Sequence, residues 1–144
     1  MKKSPIIQGK GILELIPQRP PIVMVDSFYG IEDNCSYSGL TIMPENIFCQ
    51  EGKLQEAGII EHIAQSAAAR IGSIYLQKNE PVPLGFIGSV DKLVLHFLPE
   101  VGQELSTGIT VIQEVFDITL VSACVSTQEG VVAECRMKIF LEKK

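Results

Sequence analysis

The chain has 144 residues, which fits one domain, because domains usually contain about 100–200 residues and this length can bury a real core. Its 12 Lys and Arg residues against 17 Asp and Glu residues give a formal net charge of −5, and the basic residues are scattered along the chain. Phosphate binding draws on clustered cations, so this balance argues against nucleic acid as the main partner.

Membrane and export signals are missing from the pattern. No apolar run reaches the roughly 18 residues of a membrane span. The two lysines near the N-terminus are not followed by an apolar region of signal-peptide length. We therefore expect a cytoplasmic protein that does not use a membrane.

The four cysteines form neither a C-x-x-C motif nor a Cys/His ligand cluster, so no metal centre or redox centre is indicated. Their positions are Cys35, Cys49, Cys124 and Cys135. We expect reduced thiols, with the last two packed as small hydrophobes within strands. The glycines are single and spread out, unlike the Gly-rich loops that hold phosphates.

The first third of the chain predicts a hairpin behind a stiff lead-in. Residues 1–10 read as a loose leader, and residues 11–16 predict one or two helical turns that end at Pro17. Three prolines within residues 17–21 favour an extended segment. A strand over residues 22–29 follows, and its hairpin partner is predicted over residues 37–43.

Residues 44–55 predict a loop, and the only long helical pattern runs from residue 56 to residue 76. At helical spacing one stripe of this helix is apolar, whereas a second stripe carries small and polar residues. The apolar stripe contains Ile60, Ile63, Ala64, Ala67, Ile71 and Ile74, and the second contains Glu61, Gln65, Ala68 and Gly72. A helix that is small nearly everywhere else can be enclosed closely by other backbone, so we expect a sheet to wrap around it.

Everything after this helix is strand-like. Strands are predicted over residues 84–98, 105–115, 116–126 and 131–141. A single helix cannot supply the crossovers of a parallel sheet. We therefore predict an α+β fold in one domain, residues 1–144, with an antiparallel sheet of five or six strands around one long central helix.

Three segments together resemble a known family. Residues 13–26 (LELIPQRPPIVMVD), 58–69 (GIIEHIAQSAAA) and 85–105 (GFIGSVDKLVLHFLPEVGQEL) are similar to motifs of the hotdog-fold β-hydroxyacyl-acyl carrier protein dehydratases of the FabZ/FabA type. The order and spacing match over most of the chain. The shortened sequence before the helix resembles a divergent branch associated with aryl polyene and flexirubin-type pigments.

The resemblance implies a fold, a reaction and an assembly. It implies the hotdog fold and the dehydration of a 3-hydroxyacyl thioester, on acyl carrier protein or coenzyme A, to the trans-2-enoyl form. It implies a lyase of fatty acid or polyketide metabolism that uses no cofactor. It also implies a homodimer with shared active sites, in which a histidine and a helix carboxylate come from different protomers.

The residues that match the family's motifs give a candidate site. The catalytic carboxylate carries over to Glu61, which would protonate the leaving hydroxyl group. Amides at the helix start would polarise the thioester carbonyl. The candidate substrate-binding residues are Phe48, Gly58, Ile59, Gln65, Phe86 and Gly88. Phe48 is either an interface plug or a wall of the acyl tunnel.

The family's histidine has no counterpart in residues 45–58, and Gln18 stands where the first motif commonly has histidine. His62 points about 100° away from Glu61, so we predict a surface or interface residue. His96 is predicted to be a structural histidine on a strand. Glu51, or a water held by Gln50, remains an alternative base.

Three functions therefore stay open on the sequence: a divergent dehydratase, a hotdog thioesterase, and a non-catalytic acyl-binding subunit that lacks the histidine. Acyl carrier proteins are acidic, so carrier binding predicts a local basic patch. Its candidate members are Lys53, Arg70, Lys78, Lys92 and Arg136.

Overall fold

The computed structural model of the chain describes residues 4–142. It contains one α-helix, α1 (Glu56–Gln77), and a short 3-10 helix (Gly9–Glu14). The strands are β1 (Ile7–Gln8), β2 (Ser27–Glu32), β3 (Cys35–Thr41), β4 (Cys49–Gln50), β5 (Lys53–Leu54), β6 (Leu84–Leu95), β7 (Glu104–Val115), β8 (Ile118–Thr127) and β9 (Gly130–Glu142).

Seven strands form one antiparallel sheet in the order β1-β2-β3-β7-β8-β9-β6, and α1 packs against it. Strands β4 and β5 form a separate two-stranded hairpin in the loop before α1. The predicted antiparallel sheet around one long helix is confirmed, but the count of five or six strands is too low by one. The additional strand is β1, which pairs Ile7 with Phe28 and Gln8 with Ser27.

The predicted loose leader over residues 1–10 is therefore wrong at its end. Ile7 and Gln8 are paired in the sheet, and the 3-10 helix already begins at Gly9. Residues 1–3 lie outside the described residues, so for them the leader stays a prediction. The N-terminal segment packs a small second core, formed by Ile12, Leu15 and Phe28 among others, against the side of α1.

Alternation along the strands builds the main core. In β8 the side chains of Val121, Ala123 and Val125 are buried, and the residues between them face outward or lie at the margin. Cys124 is consequently exposed, which corrects the expectation that it packs inside, whereas Cys135 on β9 is buried. A strand's period of two decides which cysteine enters the core.

Helix α1 is buried more deeply than its apolar stripe predicts. Ile59, Ile63 and Ala67 have at most 1% of their surface exposed and pack into the core of the sheet. Ile60 and Ile71 of the predicted stripe are only half-buried. The predicted apolar stripe is therefore divided: Ile63 and Ala67 face the sheet, whereas Ile60 and Ile71 lie at the margin of the core.

The strand predicted over residues 22–29 begins only at Ser27. The N–H and C=O groups of Met24 are bound by side chains of α1 and not by a neighbouring strand. This contact ties the proline segment to the helix. Within residues 4–142, no helix combines the length and the apolar character that crossing a bilayer requires.

Candidate active site

Glu61 lies in the second turn of α1 and borders a cavity of about 220 Å³, here named the Glu61 cavity. The cavity lies between α1, the proline segment, β6 and β9, and apolar side chains such as Ala64 and Ile139 form most of its wall. Glu61 itself is half-buried. An apolar cavity with very few polar groups is the usual form of a small-molecule site.

Gln65, one helical turn after Glu61, fixes the carboxylate. Its Nε2 donates hydrogen bonds to Glu61 Oε1 (2.8 Å) and to the carbonyl oxygen of Ile22 (2.9 Å). Its Oε1 accepts one from the N–H of Met24 (2.6 Å). Gln65 has no exposed surface, so we interpret it as a residue that orients Glu61. Contact between Gln65 and substrate stays a prediction.

Gln18 is the second polar residue of the cavity wall. Its Oε1 is buried and has no hydrogen-bond partner among residues 4–142. Arg19 stabilises the local turn, because its Nη1 donates to the carbonyl oxygens of Ile16 (2.9 Å) and Gln18 (2.8 Å). The sequence prediction did not include Gln18, although its departure from the family's histidine marked the position.

Three predicted substrate contacts lie outside this cavity. Phe48 packs against Gly58, and the backbone N–H of Phe48 is held by Asn46 Oδ1 at 2.9 Å. The N–H groups of Gly58 and Ile59 both donate to the carbonyl oxygen of Gln55, at 3.0 and 3.2 Å. A thioester carbonyl would have to share these two donors, because both are already engaged. Their role as substrate contacts stays a prediction.

The two predicted contacts on β6 have different positions. Phe86 lines the Glu61 cavity and has 52% of its surface exposed. Gly88 lies at a β-bulge between Ile87 and Ser89, beneath the ring of Phe140, and does not line the cavity. The bulge leaves Phe86 at the open edge of the sheet, where a second chain could reach it.

His62 is not at a surface or an interface between chains, which corrects the sequence prediction. It is fully buried, with its Nδ1 at 2.6 Å from the carbonyl oxygen of Met24 and its Nε2 at 2.7 Å from Thr107 Oγ1. A carbonyl only accepts hydrogen bonds, so Nδ1 carries the proton and Nε2 accepts from the threonine hydroxyl. Burial lowers the pKa of His62 to about 4, against a weaker opposing effect of the Met24 carbonyl.

The second histidine lies elsewhere. His96 follows β6, is 46% exposed and has its Nε2 at 3.7 Å from Glu134 Oε2. Neither histidine lines the Glu61 cavity. The described residues thus bring together one carboxylate, two side-chain amides and apolar walls, which can donate a proton and hold a chain, but they place no imidazole base opposite Glu61.

A sequence model of a family described as ApeP-like, ApeP dehydratase, matches residues 10–144. No curated protein sequence matches the chain significantly.

Solved structures share this fold at low sequence identity. The dehydratase heterocomplex ApeI:P from Xenorhabdus doucetiae contains a chain that superposes with a TM-score of 0.86 at 16% identity, covering 99% of this chain and 94% of that one. A sigma28-regulated virulence protein of Campylobacter jejuni gives 0.70 at 15% identity, with coverage of 92% and 88%. A hypothetical thioesterase of Streptococcus pneumoniae, solved with coenzyme A, gives 0.64 at 9% identity, with coverage of 82% and 86%. The fold is the hotdog fold.

Proposed function

Because this chain belongs to the ApeP-like dehydratase family, we propose that it is the Glu61-bearing subunit of a dehydratase acting on 3-hydroxyacyl thioesters of acyl carrier protein. One observation carries the proposal. A carboxylate is held by a buried amide at the wall of an apolar cavity, with Gln65 fixing Glu61 Oε1. Among residues 4–142 no group donates to Oε2 of Glu61, so this oxygen remains available to a ligand.

The reaction is an elimination of water. A base takes the proton from Cα, the electron pair of that C–H bond forms the Cα=Cβ double bond, and the Cβ–O bond breaks. Glu61 gives a proton to the departing oxygen, which leaves as water. The buried Gln65 keeps the carboxylate in place without itself reacting, and the amide of Gln18 provides a hydrogen-bonding group at the same cavity.

The base would come from a second chain. In the family that the sequence resembles, the histidine and the carboxylate belong to different protomers. Two copies of this chain would then bring two Glu61 residues and no matching histidine. A related hotdog subunit that carries the histidine would complete the Glu61 site, and the similar Xenorhabdus structure is a heterocomplex. We therefore propose a heteromeric assembly in preference to the homodimer that the resemblance implies.

A test uses the tagged chain purified from its native cells with its bound partner, and 3-hydroxyoctanoyl-acyl carrier protein as substrate. Glu61→Gln should lower kcat/KM for dehydration by at least about 100-fold, since a general acid contributes roughly 100- to 10,000-fold. The control Glu56→Gln, an exposed position of the same helix, should stay within about twofold. Product is followed as loss of water by mass spectrometry.

The lack of a base also favours a second candidate, a non-catalytic acyl-binding subunit. In that case the assembly that contains Glu61→Gln would dehydrate the substrate as fast as the wild-type assembly. The variant would still bind the partner and the acyl chain. Release of free thiol from the carrier without dehydration would instead identify a thioesterase. Either result would contradict the role proposed for Glu61.

A further inference from the structure

A second cavity, here named the Arg70 cavity, lies beside the C-terminal half of α1 and has a volume of about 250 Å³. Its wall is formed by the helix and by strands β7, β8 and β9, with Val111, Val121 and Leu141 among its apolar residues. A dry cavity of about 150 Å³ already accepts benzene, so this space can hold the end of an aliphatic or aromatic chain.

The cavity contains an arginine, Arg70, that is half-buried as a whole. Nη1 of Arg70 is buried and, among residues 4–142, has no hydrogen-bond partner. Lys78 lies at the same cavity with its Nζ 5.6 Å from the ring centroid of Tyr75. Of the described lining residues only Glu114 is acidic, so two cations face one carboxylate. A buried donor without an acceptor is destabilising, and an oxygen anion at Nη1 would remove that cost.

The Arg70 cavity adjoins the Glu61 cavity. Ile71, Ile139 and Leu141 line both, so these three side chains form the boundary that the two cavities share. Glu61 and Arg70 are separated along α1 by about 14 Å at a rise of about 1.5 Å per residue. The spacing suits a medium-length acyl chain that has its reacting end beside Glu61.

We propose that the Arg70 cavity binds an oxygen anion, such as a carboxylate, at the far end of the acyl chain whose thioester end lies beside Glu61. The inference rests on the proposed function and specifies its substrate class: an acyl chain with an acidic terminus. The sequence assigned Arg70 and Lys78 to a carrier-docking patch. Under this proposal they bind the acidic end of the substrate instead. The same oxygen-anion chemistry is present in the phosphate of the carrier's pantetheine arm, so the test must separate the two.

The test compares three probes by isothermal titration calorimetry on the native assembly. They are the pantetheine monothioester of decanedioic acid, decanoyl-pantetheine, and decanoyl-4′-phosphopantetheine. None carries a 3-hydroxyl group, so binding is measured without turnover. Wild type should bind the probe with the terminal carboxylate at least about 10-fold more tightly than decanoyl-pantetheine, as expected for a hydrogen bond to a charged group.

Substitutions decide whether Arg70 causes this preference. Arg70→Gln should reduce it to less than about twofold, and Arg70→Lys should retain part of it. Lys138→Gln removes an exposed positive charge on β9, outside the cavity and outside the proposed carrier-docking patch, and should behave as wild type. Thermal unfolding verifies that each variant is folded, and Arg70→Gln removes a buried nitrogen that has no partner among the described residues, so folding should not suffer.

Two results would overturn the inference. One is a carboxylate preference that is absent in wild type or persists in Arg70→Gln. The other is a preference for the phosphorylated arm, lost in Arg70→Gln, without any preference for the terminal carboxylate, which would assign Arg70 to the carrier arm. An assembly that shows the carboxylate preference but no dehydration would refute the proposed reaction alone.

Discussion

His62 lies in the middle of the fold with both ring nitrogens engaged, one by the Met24 carbonyl and the other by Thr107. With Gln65 it holds both backbone polar groups of Met24 and so replaces the strand partner that this segment lacks. The contact is made by a neutral imidazole, because burial strongly disfavours the charged form. His62 therefore stabilises the position of the proline segment, and with it Gln18, without entering the Glu61 cavity.

The lowered pKa of His62 predicts a pH-dependent stability. The unfolded chain binds a proton near the ordinary pKa of 6.5 and the folded chain only near 4, so stability is fully present above about 6.5 and is lost as the pH falls toward 4. The shift corresponds to about 3 kcal/mol. Replacing His62 with Gln should make the free energy of unfolding, measured in urea, less steep between pH 4 and 6.5. The exposed His96→Gln serves as control, and equal slopes in wild type and His62→Gln would refute the assignment.

Helix α1 depends on one close approach to the N-terminal segment. Gly72 faces the end of the 3-10 helix, and a Cβ built on Gly72 would overlap the carbonyl oxygen of Leu15 and lie 2.7 Å from its carbonyl carbon. The atoms that this Cβ would meet belong to the backbone of Leu15, so there is no flexible side chain that could move aside. The stripe of small residues therefore carries glycine at position 72 because the second core packs directly on the helix there.

Gly72→Ala should consequently destabilise the protein, although Gly→Ala inside a helix normally stabilises it by about 1 kcal/mol. Overpacking costs roughly 1–3 kcal/mol, so after the helix gain is subtracted the net loss reaches about 2 kcal/mol, which should lower the Tm by up to about 6 °C in calorimetry. Ala57→Gly, at an exposed position of the same helix, measures the propensity effect alone. A Tm that rises in Gly72→Ala would show that the contact with Leu15 yields easily.

The sheet ends in two unequal edges. At one end β1 has two residues, whereas β6 at the other has 12 and exposes Phe86, Ile87 and Val94. A long apolar edge strand is a template for pairing with another chain. Phe86 and Ile87 of this edge strand line the Glu61 cavity, and the described residues supply no base. We therefore expect the partner subunit to pair with β6.

Val94→Asp tests this assembly. A charge within the apolar strand contact should raise the dissociation constant of the native complex by at least about 10-fold in analytical ultracentrifugation. Val131→Asp, on β9 next to β6, adds the same charge at a comparably exposed position away from the edge. An unchanged molar mass in Val94→Asp at all concentrations would place the partner on another surface.

The fold was predictable because its signals are local and repeated. The period of 3.6 placed α1 within one residue of its observed end, and alternation with turn residues located the strands from β6 onward. β1 was missed because two residues carry no periodicity. The strand predicted from residue 22 was placed too early, since the groups that bind Met24 are about 40 residues away in the sequence.

The sequence by itself determined the hotdog family, the central helix and the place of Glu61 and Gln65 on one stripe of that helix, since these depend on patterns within single elements and on short motifs. Only the tertiary structure decided that His62 is buried, that Gln18 joins the Glu61 cavity, and that Nη1 of Arg70 has no partner among the described residues in a second cavity beside it. The physical reason is that periodicity shows which residues share a face of an element, whereas burial and charge pairing depend on what the rest of the chain packs against that face.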